Sequence, residues 1–289
     1  MADPAETRVA VYIDFDNIVI SRYDQVHGRD AWRKDNARDG RLADKLARAR
    51  VDIGAVLDYA SSWGAVALSR AYADWSVPAN AAYRGQLVDR AIDLTQLFPA
   101  TGTKNGADIR LAVDVVDDLF RLPELTHVVI VAGDSDYIAL AQRCRRLGRT
   151  VVGIGITGST SPALVKACDE FEYYDAIPGR DEEEEIAEAE PAAAEPEART
   201  AEASPELTDR SATRLLMRAL DLGTAKTDSE WVNASALKQQ MKRLNSAFSE
   251  KALGFDSFTD FVRSRNSVVE SREAGQSQQV RLRKARAKK

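Results

Sequence analysis

Five mostly apolar runs, separated by stretches with helical spacing, constrain the first 180 residues more than any other feature. The runs are Val9–Ile13, Val66–Ala73, Leu94–Phe98, Val128–Ala132 and Thr150–Ile156. Strands that are apolar throughout, rather than at every second position, belong to sheets covered on both faces. Between them, Arg41 to Tyr59, Ala79 to Ala91, Asp108 to Leu122 and Tyr137 to Leu147 read as helices, with a short closing helix from Pro162 to Phe171. The alternation predicts a single α/β domain over residues 7–177, a doubly wound parallel sheet. The polar segment from Ser21 to Asp39 interrupts the pattern and reads as a flexible insertion. Its Trp32 reads as a packing anchor, with stacking on a base as the alternative.

Charge divides the chain further. The net charge of −5 over 289 residues is −3 in residues 1–180, −10 in 181–206 and +8 in 207–289. The middle stretch is Ala, Glu and Pro with little to bury, so residues 178–207 read as an extended, disordered acidic linker. Beyond it, Ala212–Leu222, a stretch from Trp231 to Leu244 and one from Gly254 read as three helices. Two strands around Ala274-Gly275 complete a small winged-helix-like α+β domain over 208–284, followed by a basic tail, 285–289. Asn233 or Ser235 is the expected cap of the second helix. Cys144 and Cys168 form no CxxC or Cys/His grouping and read as buried thiols of a reducing compartment. No signal peptide and no apolar run of membrane-spanning length is visible, which makes the cytoplasm the expected location.

In a parallel α/β sheet, ligands collect beyond the carboxyl ends of the strands, where chain order reverses. Asp14, Asp16 and Asn17 follow the first run, and Asp134 and Asp136 follow the fourth. Asp108 opens a helix whose projection turns it toward the sheet, with Asp114, Asp117 and Asp118 on the water side. Each acid alone is explained by turn and cap chemistry. Together at one rim, without His or Cys, they suit a hard divalent ion, Mg²⁺ or Mn²⁺, acting on phosphates. Asn17 would orient a carboxylate or a water, and Lys104 is a candidate phosphate contact.

Three motifs carry a resemblance. Val11-Tyr-Ile-Asp-Phe-Asp-Asn-Ile, Lys104-Asn-Gly-Ala-Asp-Ile-Arg-Leu-Ala-Val-Asp and Val131-Ala-Gly-Asp-Ser-Asp-Tyr together resemble the NYN domain, a branch of the PIN-like ribonucleases. The resemblance implies that Asp14, Asp108, Asp134 and Asp136 hold Mg²⁺ for endonucleolytic RNA cleavage, with Asn17 beside them. The family also tends to carry an acid at the Asp114 position. The tail, with Trp231-Val-Asn-Ala-Ser-Ala-Leu and Gly254-Phe-Asp-Ser-Phe-Thr-Asp-Phe-Val, resembles the LOTUS or OST-type helix-turn-helix domain. That implies binding of RNA, single-stranded by expectation, or of a protein partner. Lys238, Lys242, Arg243, Arg281, Arg283 and Lys284 are the candidate RNA contacts there, since clustered basic groups attract a phosphate backbone.

Two alternatives stand beside this reading. Asp14-Phe-Asp16 also matches the nucleophile-x-acid pattern of haloacid-dehalogenase-like phosphatases, although Ile18 departs from it and no cap segment is evident. A non-catalytic RNA-binding adaptor with a residual acidic site is the other. Gly153-Ile-Gly-Ile-Thr-Gly158 is formally GxGxxG, but it follows the last expected strand, where no further strand presents an acid to a ribose.

Overall fold

The computed structural model describes residues 7–37, 42–98, 106–179, 208–226, 229–274 and 277–283. The chain divides after Gly179 into two compact units. The first unit is a six-stranded parallel sheet with helices around it. Its strands are β1 (Arg8–Asp14), β2 (Ala65–Ala73), β3 (Asp93–Gln96), β4 (His127–Val131), β5 (Thr150–Gly155) and β6 (Glu170–Tyr173). They lie in the order β3-β2-β1-β4-β5-β6. The chain therefore starts in mid-sheet, builds to one edge, then crosses back to build the other. That reversal falls between β1 and β4, which pair from Val9 with His127 to Ile13 with Val131. Their carboxyl ends, carrying Asp14 and Gly133-Asp134, emerge side by side.

Burial follows the expectation from continuous apolar strands: six of the seven β1 residues are buried. Helix α7 (Gly106–Arg121) lays Leu111, Val115 and Leu119 on the sheet beside Tyr12, Val128 and Ile130. Cys144 and Cys168 are free and buried, and burial pushes both thiols up to about 12. They are packing groups rather than nucleophiles.

Several elements differ from the sequence expectation. The segment from Ser21 is not a flexible insertion where it is described. It continues helix α1 (Phe15–His27) and then forms α2 (Ala31–Lys34). Tyr23, Ala31, Ala37 and Ala49 build a small core there, with the Trp32 ring edge-on to Tyr23 at 5.5 Å. Trp32 is a packing anchor. The expected helix from Arg41 splits into α3 (Ala43–Arg48) and α4 (Ile53–Ser61), because Asp52 caps the second by accepting from Ala55 N at 2.9 Å. Ala79–Ala91 likewise splits into α5 (Pro78–Ala81) and α6 (Arg84–Asp89). After α8 (Ile138–Arg146), the closing helix α9 ends at Ala167 (Pro162–Ala167), and Glu170–Tyr173 adds the sixth strand. As an edge strand it is only half-buried, so it lacks the apolar run that marks the others.

The glycines of the formal GxGxxG have packing roles. A Cβ on Gly153 would run into the Phe171 ring of β6 and the Cys168 Sγ, and one on Gly155 into Thr160 Oγ1. Overpacking of this kind costs about 1–3 kcal/mol. Gly153→Ala is accordingly expected to lower the denaturation midpoint without changing the m-value, and an unchanged midpoint would contradict the packing role.

The second unit contains α10 (Asp209–Ala225), β7 (Val232–Asn233), α11 (Ala234–Leu244), α12 (Phe258–Ser264), β8 (Val269–Ala274) and β9 (Ser277–Leu282). Leu216, Leu220, Leu237, Met241, Phe248, Phe261 and Val280 form its core. The strands make an antiparallel sheet, β7-β9-β8. The second helix begins later than expected, at Ala234, because Val232 pairs with Val280 in the sheet. Asn233 is its cap, accepting from Ser235 N at 3.0 Å.

Candidate active site

Asp14 is the last residue of β1 and the cap of α1, and it is 3% exposed. Its Oδ1 accepts from Asn17 N at 3.2 Å, and its Oδ2 accepts from the Tyr137 hydroxyl at 2.9 Å. Asn17 Oδ1 in turn accepts from Gly133 N at 3.1 Å, tying the exit of β1 to that of β4. Asp134 caps a 3₁₀ turn (Ser135–Tyr137), accepting from Asp136 N at 3.2 Å, and both acids are exposed. That short turn presents two carboxylates outward while it buries Tyr137 between the strand exits.

Asp108, in the first turn of α7, is half-buried within hydrogen-bonding reach of the Tyr137 hydroxyl and the Asp14 carboxyl. Among the described residues, the charges that act most on it are those of Asp134 and Asp136, and those that act most on Asp14 are those of Asp108 and Asp16. All are negative. Burial foremost pushes Asp14 up to about 7, with the Tyr137 and Asn17 hydrogen bonds working against it. Burial foremost also raises Asp108, reinforced by the Asp134 and Asp136 charges. Both carboxyls are raised as a pair, and Asp14 is the more deeply buried of the two. Burial and the two neighbouring carboxylates drive the Tyr137 hydroxyl far above its ordinary range, so it stays a donor.

The structure thus brings Asp14, Asn17, Asp108, Asp134 and Asp136 to one rim. Lys104 lies outside the described residues. Asp16 turns away from the pair: it accepts from Asn80 Nδ2 at 2.6 Å and from Asp74 N at 3.2 Å, binding α1 to the loop after β2.

Contrary to what helical spacing alone predicts, Asp114, Asp117 and Asp118 along α7 do not all face water. Asp117 does face water, paired with Arg121 at 2.9 Å. Asp114 and Asp118 do not; their side chains are 17% and 13% exposed. Asp114 accepts from Tyr72 at 3.1 Å, and Asp118 accepts from Tyr12 at 2.9 Å and Arg70 at 3.0 Å. Long strand side chains reach past the apolar stripe to the helix flanks, which a projection of the helix alone does not reveal. The sequence alone marks neither Tyr137 as a support of the rim nor Tyr72, Tyr12, Arg70 and Asn80 as partners of the neighbouring acids. The signal was present for some of them. Polar Tyr12 and Arg70 sit two residues before Asp14 and Tyr72 in otherwise apolar strands, on the same face and in register.

In the second unit, three candidate RNA contacts are already engaged. Lys238 pairs with Glu250. Arg281 contacts Glu270 at 2.8 Å and Glu230 at 3.1 Å, and Arg283 approaches Glu270 at 3.8 Å. Lys242 is exposed and Arg243 half-buried, while Lys284 lies outside the described residues. Arg272 and Arg281 lie over the Trp231 ring at 4.1 and 4.6 Å, giving the ribbon a cationic, aromatic face.

A parallel sheet whose switch point carries an oxygen-only acidic rim has the build of a PIN-like nuclease. The chain belongs to the NYN domain family, whose model matches residues 8–175. The OST-HTH/LOTUS domain model matches residues 203–281. Together the two domains are those of a ribonuclease or RNA-binding protein, and NYN and PIN-like nucleases generally use divalent metal ions. No curated protein is significantly similar to the chain. Among solved structures, a protein of unknown function from Vibrio parahaemolyticus is 20% identical, covering 60% of this chain and 96% of that one, with a TM-score of 0.46. Among the described residues, no helix is long and apolar enough to cross a membrane.

Proposed function

We propose that the chain is a divalent-metal-dependent RNA endonuclease of the cytoplasm. Residues 7–177 form the nuclease, 178–207 a tether, and 208–284 a module that holds single-stranded RNA. The observation that carries this reading is the Asp14–Tyr137–Asp108 arrangement, a buried and a half-buried carboxyl whose strongest neighbouring charges among the described residues are negative. Such a pair favours a cation over protons as its partner at neutral pH. The oxygen-only donor set suits Mg²⁺ or Mn²⁺. Among the described residues no group of three or more His, Cys, Asp or Glu side chains is placed to hold a metal ion, so an ion here would rest on the Asp14–Asp108 pair and water.

Asp14 and Asp108 would hold the ion, with Asp134 and Asp136 reaching it from the open side. When bound there, a divalent ion would supply a hydroxide nucleophile and would neutralise charge on the phosphodiester. Tyr137 fixes the Asp14 carboxylate, and Asn17 fixes the spacing of the two strand exits. The phosphatase alternative is set aside by family membership, and by Asp16, which is bound to Asn80 and Asp74.

The test is a cleavage assay on single-stranded RNA, the same sequence as DNA, and a small phosphomonoester, in Mg²⁺, Mn²⁺ or EDTA. RNA is expected to be cut internally, only with the ion, and the monoester to stay intact. Intact RNA under every condition would leave the adaptor reading in its place.

A further inference from the structure

At the opposite end of the sheet from the acidic rim, four arginines occur within seven residues: Arg143, Arg145, Arg146 and Arg149. They close α8 and the turn into β5. Arg145, Arg146 and Arg149, with Gln142, Gly148 and Thr150, line an open groove of about 680 Å³. The single acid there, Asp169, is held by Arg145 at 2.9 Å and by Val151 N at 2.8 Å. Arg149 gives one N–H to the Pro123 carbonyl at 3.1 Å, but its buried Nε has no acceptor among the described residues. Cations at a helix C-terminus complement its dipole within the last turn. That accounts for their sign, but not for a groove, nor for Arg149 beyond the helix with a donor left unsatisfied.

We propose that this groove binds the phosphate backbone of the RNA that the rim acts upon, as a second anchor for long substrates. Guanidinium groups suit phosphate oxygens because their planar N–H fork engages them in pairs. The body around the groove is net acidic, −3 over residues 1–180, so a local excess of arginine is a marked attraction for a polyanion. Thr150 starts β5 and Gly155 ends it. At about 3.3 Å per residue the groove and the rim lie roughly 20 Å apart. A strand of several nucleotides spans that distance, within the roughly 4–16 nucleotide footprints of single-strand binders. Helices cover the sheet between them, so the path over the surface is longer than this straight line, and a tetranucleotide centred on the rim falls short of the groove.

This inference rests on the nuclease reading, and the test separates the two. Binding of fluorescein-labelled 16-mer and 4-mer oligouridine to the full chain is measured by anisotropy in EDTA across a salt series. Cleavage of both is measured in Mg²⁺. Arg146, exposed at the groove, is the position to vary. Arg146→Ala is expected to weaken 16-mer binding several-fold and reduce the slope of log K on log salt by about 0.7. Arg146→Glu should do more and Arg146→Lys much less. Binding and cleavage of the 4-mer should not change. Equal 16-mer affinity and slope in Arg146→Glu and the unmodified protein, with the 4-mer still cut, would overturn the groove alone. A 4-mer and 16-mer both left intact by the unmodified protein, with the arginine effect present, would instead sink the nuclease reading. Tighter 16-mer binding in Arg146→Glu would show that an acidic segment of the chain occupies the groove, and would also overturn the proposal.

Discussion

Asp14→Asn is expected to slow RNA cleavage by roughly a thousandfold or more while leaving RNA affinity within about threefold. A loss of that size corresponds to about 4 kcal/mol of transition-state stabilisation. It follows from the position of Asp14 as the buried half of the carboxyl pair. A neutral amide removes the charge that draws the ion, and it keeps only one acceptor for the two donors, Asn17 N and the Tyr137 hydroxyl. Tyr137→Phe tests how that carboxylate is held. Groups that orient a metal ligand typically cost 10- to 100-fold when removed, so this variant should fall between wild type and Asp14→Asn. Asp114→Asn is the contrast. Asp114 is bound to Tyr72 and Arg110 on the flank of α7, so its loss should reduce the rate less than tenfold. Single-turnover rates, with affinity measured separately, check all three. Wild-type cleavage by Asp14→Asn would remove the rim from the mechanism. A parallel loss of binding would mean that the substitution damages the fold.

What the sequence disclosed, and what it hid, follows from the range of the interactions. The β1, β4 and β5 runs were legible because a strand buried on both faces leaves no polar position to confuse the pattern. The pairing of β1 with β4, which the sequence left as a condition, puts Asp14 beside Asp134. The edge strand Glu170–Tyr173 was not legible, since half-burial leaves it looking like the end of a helix. The acids of the rim were visible as a set, but the hydroxyl that joins two of them was not. Tyr137 stands 123 residues from Asp14, and nothing local marks a tyrosine as buried against a carboxylate. Asp114 and Asp118 were misplaced for the same reason. Their partners, Tyr72, Tyr12 and Arg70, come from strands far away in the chain.

Without divalent metal, the protein is expected to lose stability as pH rises from about 4 to about 7, and Asp14→Asn should remove most of that slope. The sign comes from the Asp14 carboxyl, raised by burial from the ordinary 3.8 to about 7. Between those values the folded chain holds a proton that the unfolded chain has released. Stability then falls with rising pH, because the folded state binds more protons. Below the lower value both states are protonated and the penalty is absent; above the higher it is complete. At about 1.4 kcal/mol per unit, it amounts to roughly 4 kcal/mol. Asp35, Asp175 and Glu250 act in the opposite sense, being lowered by their partners. Their contribution is lost only as pH falls through their depressed values, so the two windows separate. Mg²⁺ at a hundred times its dissociation constant should restore about 2.7 kcal/mol at pH 8. For a unit of this size, the shift in melting temperature is on the order of 5–10 °C. Melting curves from pH 5 to 8, in EDTA and in Mg²⁺, check the prediction in both proteins. If Asp14→Asn keeps the full slope, or if Mg²⁺ stabilises the two proteins equally, the carboxyl pair is not what binds the ion.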